Sequence, residues 1–497
     1  MSKVNFSDFQ KAIFAEVANG TSNIVVNAVA GSGKTFTIVN AAKQLKLPQQ
    51  DVLFLAFNKS IVTELEGKLF GVAEVKTTHS FGMGVISKGS RRRPFVDTRK
   101  YGKLIAARHP YAERDEISCA LDLFDKCRVE LVMSGNLSAI EGIARHHNIV
   151  TFGHVVEIVS DMLSVAYRPT PDGKIDFTDM LVLACTYYQN FVPSYKIVFI
   201  DECQDLNTAQ RTLMTLAARG GRFVAVGDPK QAINGFAGAD CDSFAKLAQL
   251  PNTIELPLSV NYRCGKNIVN AAQSLVPQIT AHDGAIDGVV RTISTIDRNT
   301  FERGSMVLCR KNAPLVSLCY KLLGAGVTTL VKGREIGKGL VTLMDKSRAK
   351  TLDGVNTYLD KQVSKQVSKL VKKGESRDEA QAHPSVLAIK DKKDCINAIA
   401  EGAKVYRVEQ IAQEIERIFS DANVDNAVVL SSVHKSKGLE ADNVYIIVPD
   451  KLPMTWKNQL PWQYEQECNL HYVAITRAKQ KLTYVALTEE DIKSVTL

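Results

Sequence analysis

The sequence predicts an α/β fold built from two parallel sheets, each with helices on both faces. Three observations predict it. Short β-branched runs alternate with helix-like stretches, a pattern typical of parallel strands that are buried on both sides. The runs fall into two groups along the chain, and a long segment of helical spacing interrupts each group. At 497 residues the chain is also too long for a single core.

Each strand-like run is followed by turn residues and a helix-like stretch. The runs of the first group are "NIVVNA" (Asn23–Ala28), "VLFLAF" (Val52–Phe57), "KIVFID" (Lys196–Asp201) and "FVAVGD" (Phe223–Asp228). The runs of the second group are "SMVLCR" (Ser305–Arg310), "VVLSSV" (Val428–Val433), "NVYIIV" (Asn443–Val448) and "KLTYVAL" (Lys481–Leu487). We predict that each group forms one sheet.

Two interruptions have helical spacing. Residues 84–168 include "EISCALDLFDKCRVELVM", whose apolar residues recur three and four apart. Residues 329–425 include "DKQVSKQVSKLVKKGESRDEAQ", in which Val363, Val367 and Leu370 mark one helix face and the lysines indicate a solvated one. The predicted domains are a first α/β domain at 1–83 and 169–250 with a helical insertion at 84–168, and a second at 251–328 and 426–497 with a smaller insertion at 329–425.

Composition limits the classes of function. Lys and Arg outnumber Asp and Glu by 62 to 53, a net charge of +9 that permits a polyanionic partner without requiring one. The first residues, "MSKVNFSDFQ", lack the apolar region of a secretion signal, and no run of eighteen apolar residues occurs. The ten cysteines are scattered singly, which is typical of reduced thiols rather than of a disulfide framework or a zinc site. We therefore expect a protein without a membrane partner, in the cytoplasm.

A glycine-rich stretch, "AVAGSGKT", follows the first strand and precedes a helix pattern, as a phosphate-binding loop requires. Gly31 and Gly33 let backbone N–H groups turn toward phosphate oxygens, Lys34 reaches the outer phosphates, and the Thr35 hydroxyl can bind Mg²⁺. Ala28 replaces the usual first glycine, but the end of the loop that binds phosphate is intact. The residues predicted to bind the nucleotide here are Ala30, Gly31, Ser32, Gly33, Lys34, Thr35 and Phe36.

The stretch "IVFIDECQD" supplies a second part of the site. At the end of an apolar strand, Asp201 can hold the metal, and Glu202 can orient and deprotonate an attacking water. Together with the loop this pair predicts a Mg²⁺-dependent NTPase. The transition state also needs positive charge beyond Lys34, for which Arg263 in "LSVNYRCGKNI" and Arg477 in "HYVAITRAKQKL" are candidates.

The ordered motifs from Phe6 to about Val485 resemble those of the UvrD/Rep family of superfamily 1 (SF1A) DNA helicases. The resemblance implies two RecA-like P-loop NTPase domains that meet across one ATP. It places Gln10 of "FSDFQKAI" at the adenine, Tyr262 against the base, and Arg263 and Arg477 as arginine fingers. It also implies nucleotide contacts at Gly438 and Glu440. The predicted catalytic set is Lys34, Asp201, Glu202, Gln231, Arg263 and Arg477.

The resemblance also implies a set of nucleic-acid contacts. They lie in "LAFNKSIVTEL", "KTTHSFG", "QAINGFAGA", "VLCRKNA" and "SSVHKSKGLEADNVYI". A further segment, "DFTDML", matches the acidic segment that precedes the metal motif in the family. The predicted contact residues are Phe57, Asn58, Lys59, Thr78, His79, Phe81, Phe236, Arg310, Asn312, His434 and Lys435.

One stretch, "VAVGDPKQAINGFAGAD", departs from the family pattern QxIYxWRGA. Asp228 and Gln231 can sense the metal-bound nucleotide, and Phe236 can stack on a base. Asn234 stands where the family has its first aromatic ring. Because a stacked base contributes roughly 1–3 kcal/mol, we expect weaker grip on a single strand at this step unless Phe81 or a tryptophan compensates.

The function that the resemblance implies is an ATP- and Mg²⁺-dependent translocase on single-stranded DNA, with 3′→5′ DNA helicase activity, in replication, repair or recombination. The expected partners are single-stranded DNA and single-strand/duplex junctions, and the expected setting is a monomer in a bacterial or phage-infected cell. Three alternatives stay open: a translocase that strips proteins from DNA, one that acts on RNA, and a motor subunit of a nuclease or recombination complex.

Overall fold

The computed structural model describes residues 5–56, 58–235, 242–419 and 426–497. The chain divides into two compact units, Met1–Ser259 and Val260–Leu497. Each unit contains a six-stranded sheet, and every strand pairing among the described residues of these sheets is parallel. The predicted α/β fold with two parallel, RecA-like sheets is confirmed.

The described part of the first unit has eight strands and eleven α-helices. Its strands are β1 Asn23–Ala28, β2 Val52–Ala56, β3 Glu74–Thr77, β4 Phe95–Val96, β5 Lys174–Ile175, β6 Ile197–Ile200, β7 Arg222–Gly227 and β8 Thr253–Leu258. Its helices are α1 Asp8–Asn19, α2 Lys34–Gln44, α3 Lys59–Lys68, α4 Thr78–Ser90, α5 Lys100–Arg108, α6 Arg114–Val129, α7 Leu137–His146, α8 Val155–Ala166, α9 Phe177–Cys185, α10 Thr208–Ala217 and α11 Ser243–Ala248. The order of strands in its sheet is β3-β2-β6-β7-β1-β8.

The first sheet forms because its central strands are apolar on both faces. β2 and β6 are buried at every position. Ile24 and Val26 of β1 join one hydrophobic cluster, whereas Val25 between them joins the cluster on the opposite face. Fully burying one such side chain contributes roughly 1.5–3 kcal/mol. The continuous apolar runs of the sequence therefore correspond to strands with a core on each side.

The described part of the second unit has eight strands and nine α-helices. Its strands are β9 Val260–Asn261, β10 Thr280–Ala281, β11 Val289–Ile293, β12 Met306–Cys309, β13 Thr329–Val331, β14 Val428–Ser432, β15 Ala441–Ile447 and β16 Ala478–Val485. Its helices are α12 Lys266–Gln273, α13 Ala313–Gly324, α14 Arg334–Ser347, α15 Leu352–Lys372, α16 Arg377–Ala382, α17 Pro384–Ala403, α18 Val408–Ile418, α19 Pro461–Ile475 and α20 Glu489–Ser494. The order of strands in its sheet is β11-β16-β15-β12-β14-β13.

Two predicted boundaries differ from the strand pairing. β8 pairs with β1 along six residues, so the first unit extends to Ser259 rather than ending at residue 250. β13 pairs with β14, so residues 329–331 belong to the second sheet and not to the insertion. β8 alternates in burial and β13 has only three residues, and neither gives the continuous apolar run on which the predicted boundaries were based.

The two insertions differ in how they are packed. Helices α5 to α8 of the first insertion form a cluster of their own around Leu123, Phe124 and Met162. Helices α14, α15, α17 and α18 of the second share one hydrophobic cluster with β12 and β14 of the sheet. The second insertion is thus an extension of the sheet's core. Within the described ranges, no helix has the length and apolar character needed to cross a membrane.

Candidate functional site

In the first unit, the sequence-predicted site residues lie at one edge of the sheet. Because all the strands are parallel, the segments that follow β1, β7, β6, β2 and β3 emerge at the same edge. The glycine-rich loop follows β1, Gln231 follows β7, and Asp201 follows β6. These three strands are neighbours in the order β6-β7-β1. The topology therefore brings the predicted phosphate, metal and catalytic residues of this unit together.

The loop after β1 has the backbone that a phosphate site needs. Gly31 and Gly33 have φ values of 68° and 76°, in the left-handed region that favours glycine. Ser32 is buried, and its hydroxyl donates a 2.8 Å hydrogen bond to the Val29 carbonyl. Helix α2 begins at Lys34, directly after the loop. The N–H groups in the first turn of a helix have no partner within the helix, which makes a helix N-terminus a favourable place for phosphate oxygens.

Two predicted Mg²⁺ ligands contact each other. The Thr35 hydroxyl donates to Oδ2 of Asp201, whose side chain is buried. Burial and the neighbouring charge of Glu202 raise the pKa of the Asp201 carboxyl. A dication bound there would favour the ionised carboxylate, because its positive charge acts against both effects. Mg²⁺ in phosphate-transfer sites takes only one or two protein oxygens besides phosphate and water. The two side chains fit such an ion, which when bound would neutralise charge on the phosphate oxygens.

The predicted catalytic base is held from two sides. Lys34 Nζ lies 3.6 Å from Oε1 of Glu202, and Gln204 Nε2 donates a 2.6 Å hydrogen bond to Oε2. The backbone of Glu202 is left-handed, with φ of 54°, a conformation that a non-glycine residue adopts at a cost. The sequence patterns did not predict a role for Gln204, although it stands two residues after the base in "DECQD".

The segment after β7 is connected to the same set. Gln231 Nε2 donates a 2.7 Å hydrogen bond to Oδ2 of Asp228, and both side chains are buried. Burial raises the pKa of the Asp228 carboxyl. The Asp228 backbone N–H donates 3.0 Å to Oε1 of Gln204. Hydrogen bonds therefore connect Gln231, through Asp228 and Gln204, to the predicted base Glu202.

Gln10 and Phe36 lie on the helices that flank the loop. Gln10 is buried, accepts from Ser7 N at 3.0 Å and donates from Nε2 to the Thr37 hydroxyl at 3.1 Å. A side-chain amide has two N–H donors and two acceptor lone pairs, so these two bonds use half of the hydrogen-bonding capacity of Gln10. Phe36 is 45% exposed, with its ring 6.0 Å from that of Phe6. Its ring is accessible next to the loop.

The predicted nucleic-acid contacts of the first unit follow β2 and β3. Asn58 caps helix α3 by accepting from Ile61 N, and Lys59 beside it is exposed. Thr78 is buried and accepts from Gln210 Nε2 at 3.1 Å. Burial lowers the pKa of His79. Phe57 and Phe236 lie outside the described residues.

Phe81 is placed differently from the prediction. Its ring is 2% exposed and belongs to the core cluster under helices α4 and α9, with the ring of Tyr195 6.2 Å away. A ring buried this deeply is not available to stack on a base. The predicted nucleic-acid contact at Phe81 is therefore corrected to a packing role, and Phe81 cannot compensate for the aromatic ring missing at position 234.

In the second unit, the predicted nucleotide contacts lie near the amino ends of β15 and β16. Glu440 directly precedes β15 and Arg477 directly precedes β16. Glu440 binds Arg263 through a 2.6 Å ion pair and Lys479 through one of 2.7 Å. Burial opposes ionisation of Glu440, but the hydrogen bond from Lys479 and the charge of Arg263 outweigh it and lower its pKa. Lys479 was not predicted.

The other nucleotide candidates of this unit have distinct surroundings. Arg477 is 1% exposed and donates to the carbonyls of Val473 and Leu439 at 3.1 Å and 3.0 Å. Tyr262 is 42% exposed, with its ring 4.9 Å from that of His282. Gly438 is exposed and has φ of 85°. Arg477 is thus fixed in its own unit, whereas Tyr262 presents an accessible ring.

The predicted nucleic-acid contacts of the second unit follow the carboxyl ends of β12 and β14, opposite to the nucleotide candidates. Three of them already have acidic partners. Arg310 makes a two-pronged ion pair with the buried Glu467, at 2.6 to 3.1 Å. Asn312 Nδ2 donates to Asp391 at 3.2 Å, and Lys435 pairs with Glu335. His434 has its pKa lowered to about 3 by burial and by the charges of Arg310 and Lys435.

Known protein families match most of this chain. The UvrD/REP helicase N-terminal domain matches residues 144–252, and the UvrD-like helicase C-terminal domain matches residues 328–489. The chain belongs to the UvrD/Rep family of superfamily 1 DNA helicases. A third model, the Type III restriction enzyme, res subunit, matches residues 3–115, which include the predicted phosphate-binding loop. The two UvrD/Rep matches fall one in each unit.

Individual DNA helicases are similar to this chain over different lengths. DNA helicase II of Escherichia coli (strain K12) is 26% identical over 294 residues, which are 52% of this chain and 39% of that protein. F-box DNA helicase protein 1 of Schizosaccharomyces pombe is 22% identical over 95% of this chain and 56% of its own length. F-box DNA helicase 1 of Gallus gallus is 22% identical over 97% and 49%. The chain therefore spans roughly two fifths to just over half of these relatives.

Proposed function

We propose that the protein is an ATP- and Mg²⁺-dependent translocase on single-stranded DNA with DNA helicase activity. The observation that carries the proposal is the meeting of the phosphate loop, the acid pair and Gln231 at the ends of the adjacent strands β1, β6 and β7. Membership in the UvrD/Rep family supports DNA as the track. ATP hydrolysis then drives movement along the strand.

The residues that we propose for ATP hydrolysis are distributed over both units. In the first, Lys34 holds the outer phosphates, and Glu202 accepts a proton from the attacking water. In the second, Arg263 and Arg477 supply positive charge to the transition state, and Glu440 contacts the nucleotide. We propose that both sets act on one nucleotide. Hydrolysis is then complete only when both units engage it.

The nucleic-acid substrate and the setting are inferred from the family resemblance. We propose 3′→5′ movement on single-stranded DNA, with action at single-strand/duplex junctions in replication, repair or recombination, by a monomer. Gripping a strand without reading its sequence requires cations, main-chain donors and stacking surfaces. The exposed Lys59 and the predicted contact Phe236 are of these types. We also propose that the protein acts in the cytoplasm of a bacterial or phage-infected cell.

ATP hydrolysis with and without single-stranded DNA tests the proposal. We expect single strands to stimulate hydrolysis by the intact protein, because strand grip and the ATP cycle are coupled. Lys34→Ala should abolish hydrolysis and unwinding, while Lys68→Ala, an exposed lysine on α3, should leave both unchanged. Equal rates with and without nucleic acid in the wild type would contradict the proposal.

Strand displacement on tailed duplexes reports the track and the polarity together. Four substrates are compared, with a 3′ or a 5′ single-stranded tail, in DNA and in RNA. We expect displacement of the 3′-tailed DNA duplex only. Strand displacement from a duplex with a 5′ tail would contradict the proposed polarity. Strand displacement from an RNA duplex would favour the alternative of a translocase that acts on RNA. Release of a bound protein from a single strand without duplex opening would favour the stripping alternative.

A further inference from the structure

The side chain of Asn234 makes a hydrogen bond within the first unit. Asn234 stands where the UvrD/Rep pattern has an aromatic ring, yet its amide faces the acid segment after β6. Asn234 Nδ2 donates a 3.1 Å hydrogen bond to Oδ1 of Asp205. The acceptor is a carboxylate, which makes the hydrogen bond charge-assisted. Asp205 is only 5% exposed, so the bond lies in surroundings that exclude most water.

The bond continues toward the catalytic base. Gln204 Nε2 donates to Oδ2 of Asp205 at 3.3 Å and to Oε2 of Glu202 at 2.6 Å. Gln204 Oε1 accepts from Asp228 N at 3.0 Å. A backbone N–H can only donate, so this last bond fixes which end of the Gln204 amide faces the carboxylates. A chain of amide and carboxylate groups thus runs from Asn234 to Glu202.

Two carboxylates share one amide in this chain. Gln204 is 1% exposed, and its NH₂ group serves Asp205 with one bond and Glu202 with the other. The hydrogen bond from Asn234 satisfies one carboxylate oxygen of Asp205, so Asp205 competes less with Glu202 for the Gln204 amide. If that donor is removed, we expect Asp205 to draw the Gln204 amide toward itself, and Glu202 to lose one of the groups that hold it.

We propose that Asn234 is a positioning residue for the catalytic base, acting on Glu202 through Asp205 and Gln204. The inference rests on the proposed function, in which Glu202 accepts the proton of the attacking water. It gives position 234 a role in hydrolysis, in place of the strand grip that an aromatic ring would supply. Substitution should therefore change kcat and not the affinity for the strand.

An exchange of the two side chains tests the bond. Asn234→Asp keeps the shape but sets two carboxylates against each other. Asp205→Asn sets an amide donor against Asn234 or against Gln204, whichever way its amide turns. The double variant Asn234→Asp/Asp205→Asn restores both bonds, because the amide introduced at position 205 would donate to position 234 and accept from Gln204. The double variant therefore tests whether activity depends on the hydrogen bond itself and not on which residue occupies each position.

We expect kcat for ATP hydrolysis to fall about tenfold in Asn234→Asp, the loss typical of one hydrogen bond to a charged group. The KM for ATP and the Kd for a fluorescent oligonucleotide should stay within about twofold of the wild type. The double variant should recover most of the lost kcat. Thermal melting of each variant identifies any that fails to fold, and recovery in the double variant cannot arise from a folding defect.

Two results would overturn the inference. One is a weaker Kd for the oligonucleotide in Asn234→Asp with an unchanged kcat at saturating DNA, which would place Asn234 in the strand contact. The other is a double variant no more active than the weaker single one. All rates are also measured without DNA, where the same order is expected. Failure of DNA to stimulate the wild type would refute the proposed function, whereas the order of the variants tests Asn234 separately.

Discussion

At the scale of single residues, the predicted nucleic-acid contacts differ in the charge they carry at neutral pH. Lys59 is exposed at the start of helix α3. Burial lowers the pKa of His79, and the pKa of His434 is lowered to about 3. A histidine whose pKa is lowered by burial is neutral at pH 7, because the low-dielectric surroundings disfavour its charged form. The two histidines therefore bring no positive charge to a phosphate, and Lys59 is the one of these three predicted contacts that would.

The salt dependence of strand binding should therefore distinguish Lys59 from His79. Lys59→Ala should reduce the slope of log K against log[salt] by about 0.7, since one fewer phosphate counterion is released from a single strand. His79→Gln should leave the slope unchanged at pH 7. Oligonucleotide titrations at several salt concentrations measure both slopes. A matched control is Lys68→Ala, about 14 Å further along the same helix. An equal drop in slope for His79→Gln would show that this imidazole is charged.

The site residues that the sequence predicted are those whose chemistry lies within one short segment. Lys34 stands in an eight-residue stretch that follows an apolar strand, and Glu202 stands in a nine-residue stretch that begins with one. The partners of predicted residues were not found in this way. Arg310 and Glu467 are separated by 157 positions, and no local pattern connects them. The burial of Phe81 likewise depends on packing against helix α9, which spacing along the chain does not encode.

At the scale of elements, a buried ion cluster joins the first helical insertion to the segment before β6. Arg128 of α6 is fully buried, pairs with Asp176 at 2.6 Å and with Asp179 at 3.0 Å, and also contacts Asp125. Lys100 of α5 donates to Asp179 at 2.7 Å. Asp176 and Asp179 are the acids of "DFTDML", at the start of α9. The acidic segment noted in the sequence is therefore the anchor of the insertion.

Removing the arginine should destabilise this junction. Breaking a buried ion pair by deleting one partner costs about 3–5 kcal/mol, because the other charges stay buried without compensation. Arg128→Met should lower the melting temperature by on the order of 10 °C. Arg145→Ala is the matched control, since its partner Glu141 is 3.8 Å away and both side chains are exposed. Equal melting of the two variants would mean that Asp176 and Asp179 are compensated by other groups.

The predicted elements were those with strong one-dimensional patterns. All eight apolar runs are strands, with bounds that move by at most three residues. The strands that were not predicted have weaker patterns: β8 exposes alternate residues, and β11 is exposed at four of its five positions. Both lie at the ends of their sheets and have a neighbour on one side only. A strand at an edge is defined by its pairing partner, and pairing is not visible in one sequence.

At the scale of the whole molecule, the proposed catalytic residues are divided between the two units. Lys34, Glu202 and Gln231 belong to the first, and Arg263 and Arg477 belong to the second. The first unit alone contains the phosphate loop and the acid pair. Binding and hydrolysis should therefore be separable, because an arginine that acts on the transition state contributes little to the ground state.

Arg263→Ala should lower kcat for ATP hydrolysis by about 10³-fold, with nucleotide affinity changed only a few-fold, since the arginine stabilises transition-state charge. Steady-state hydrolysis gives kcat, and titration with a fluorescent nucleotide gives the Kd. Because Arg263 also pairs with Glu440, the matched control is Lys479→Ala, which removes the other cation bound to that carboxylate and keeps the arginine. The control should retain kcat within a few-fold. Equal losses in the two variants would assign the defect to Glu440, and an unchanged kcat in Arg263→Ala would mean that the second unit contributes no charge through this residue.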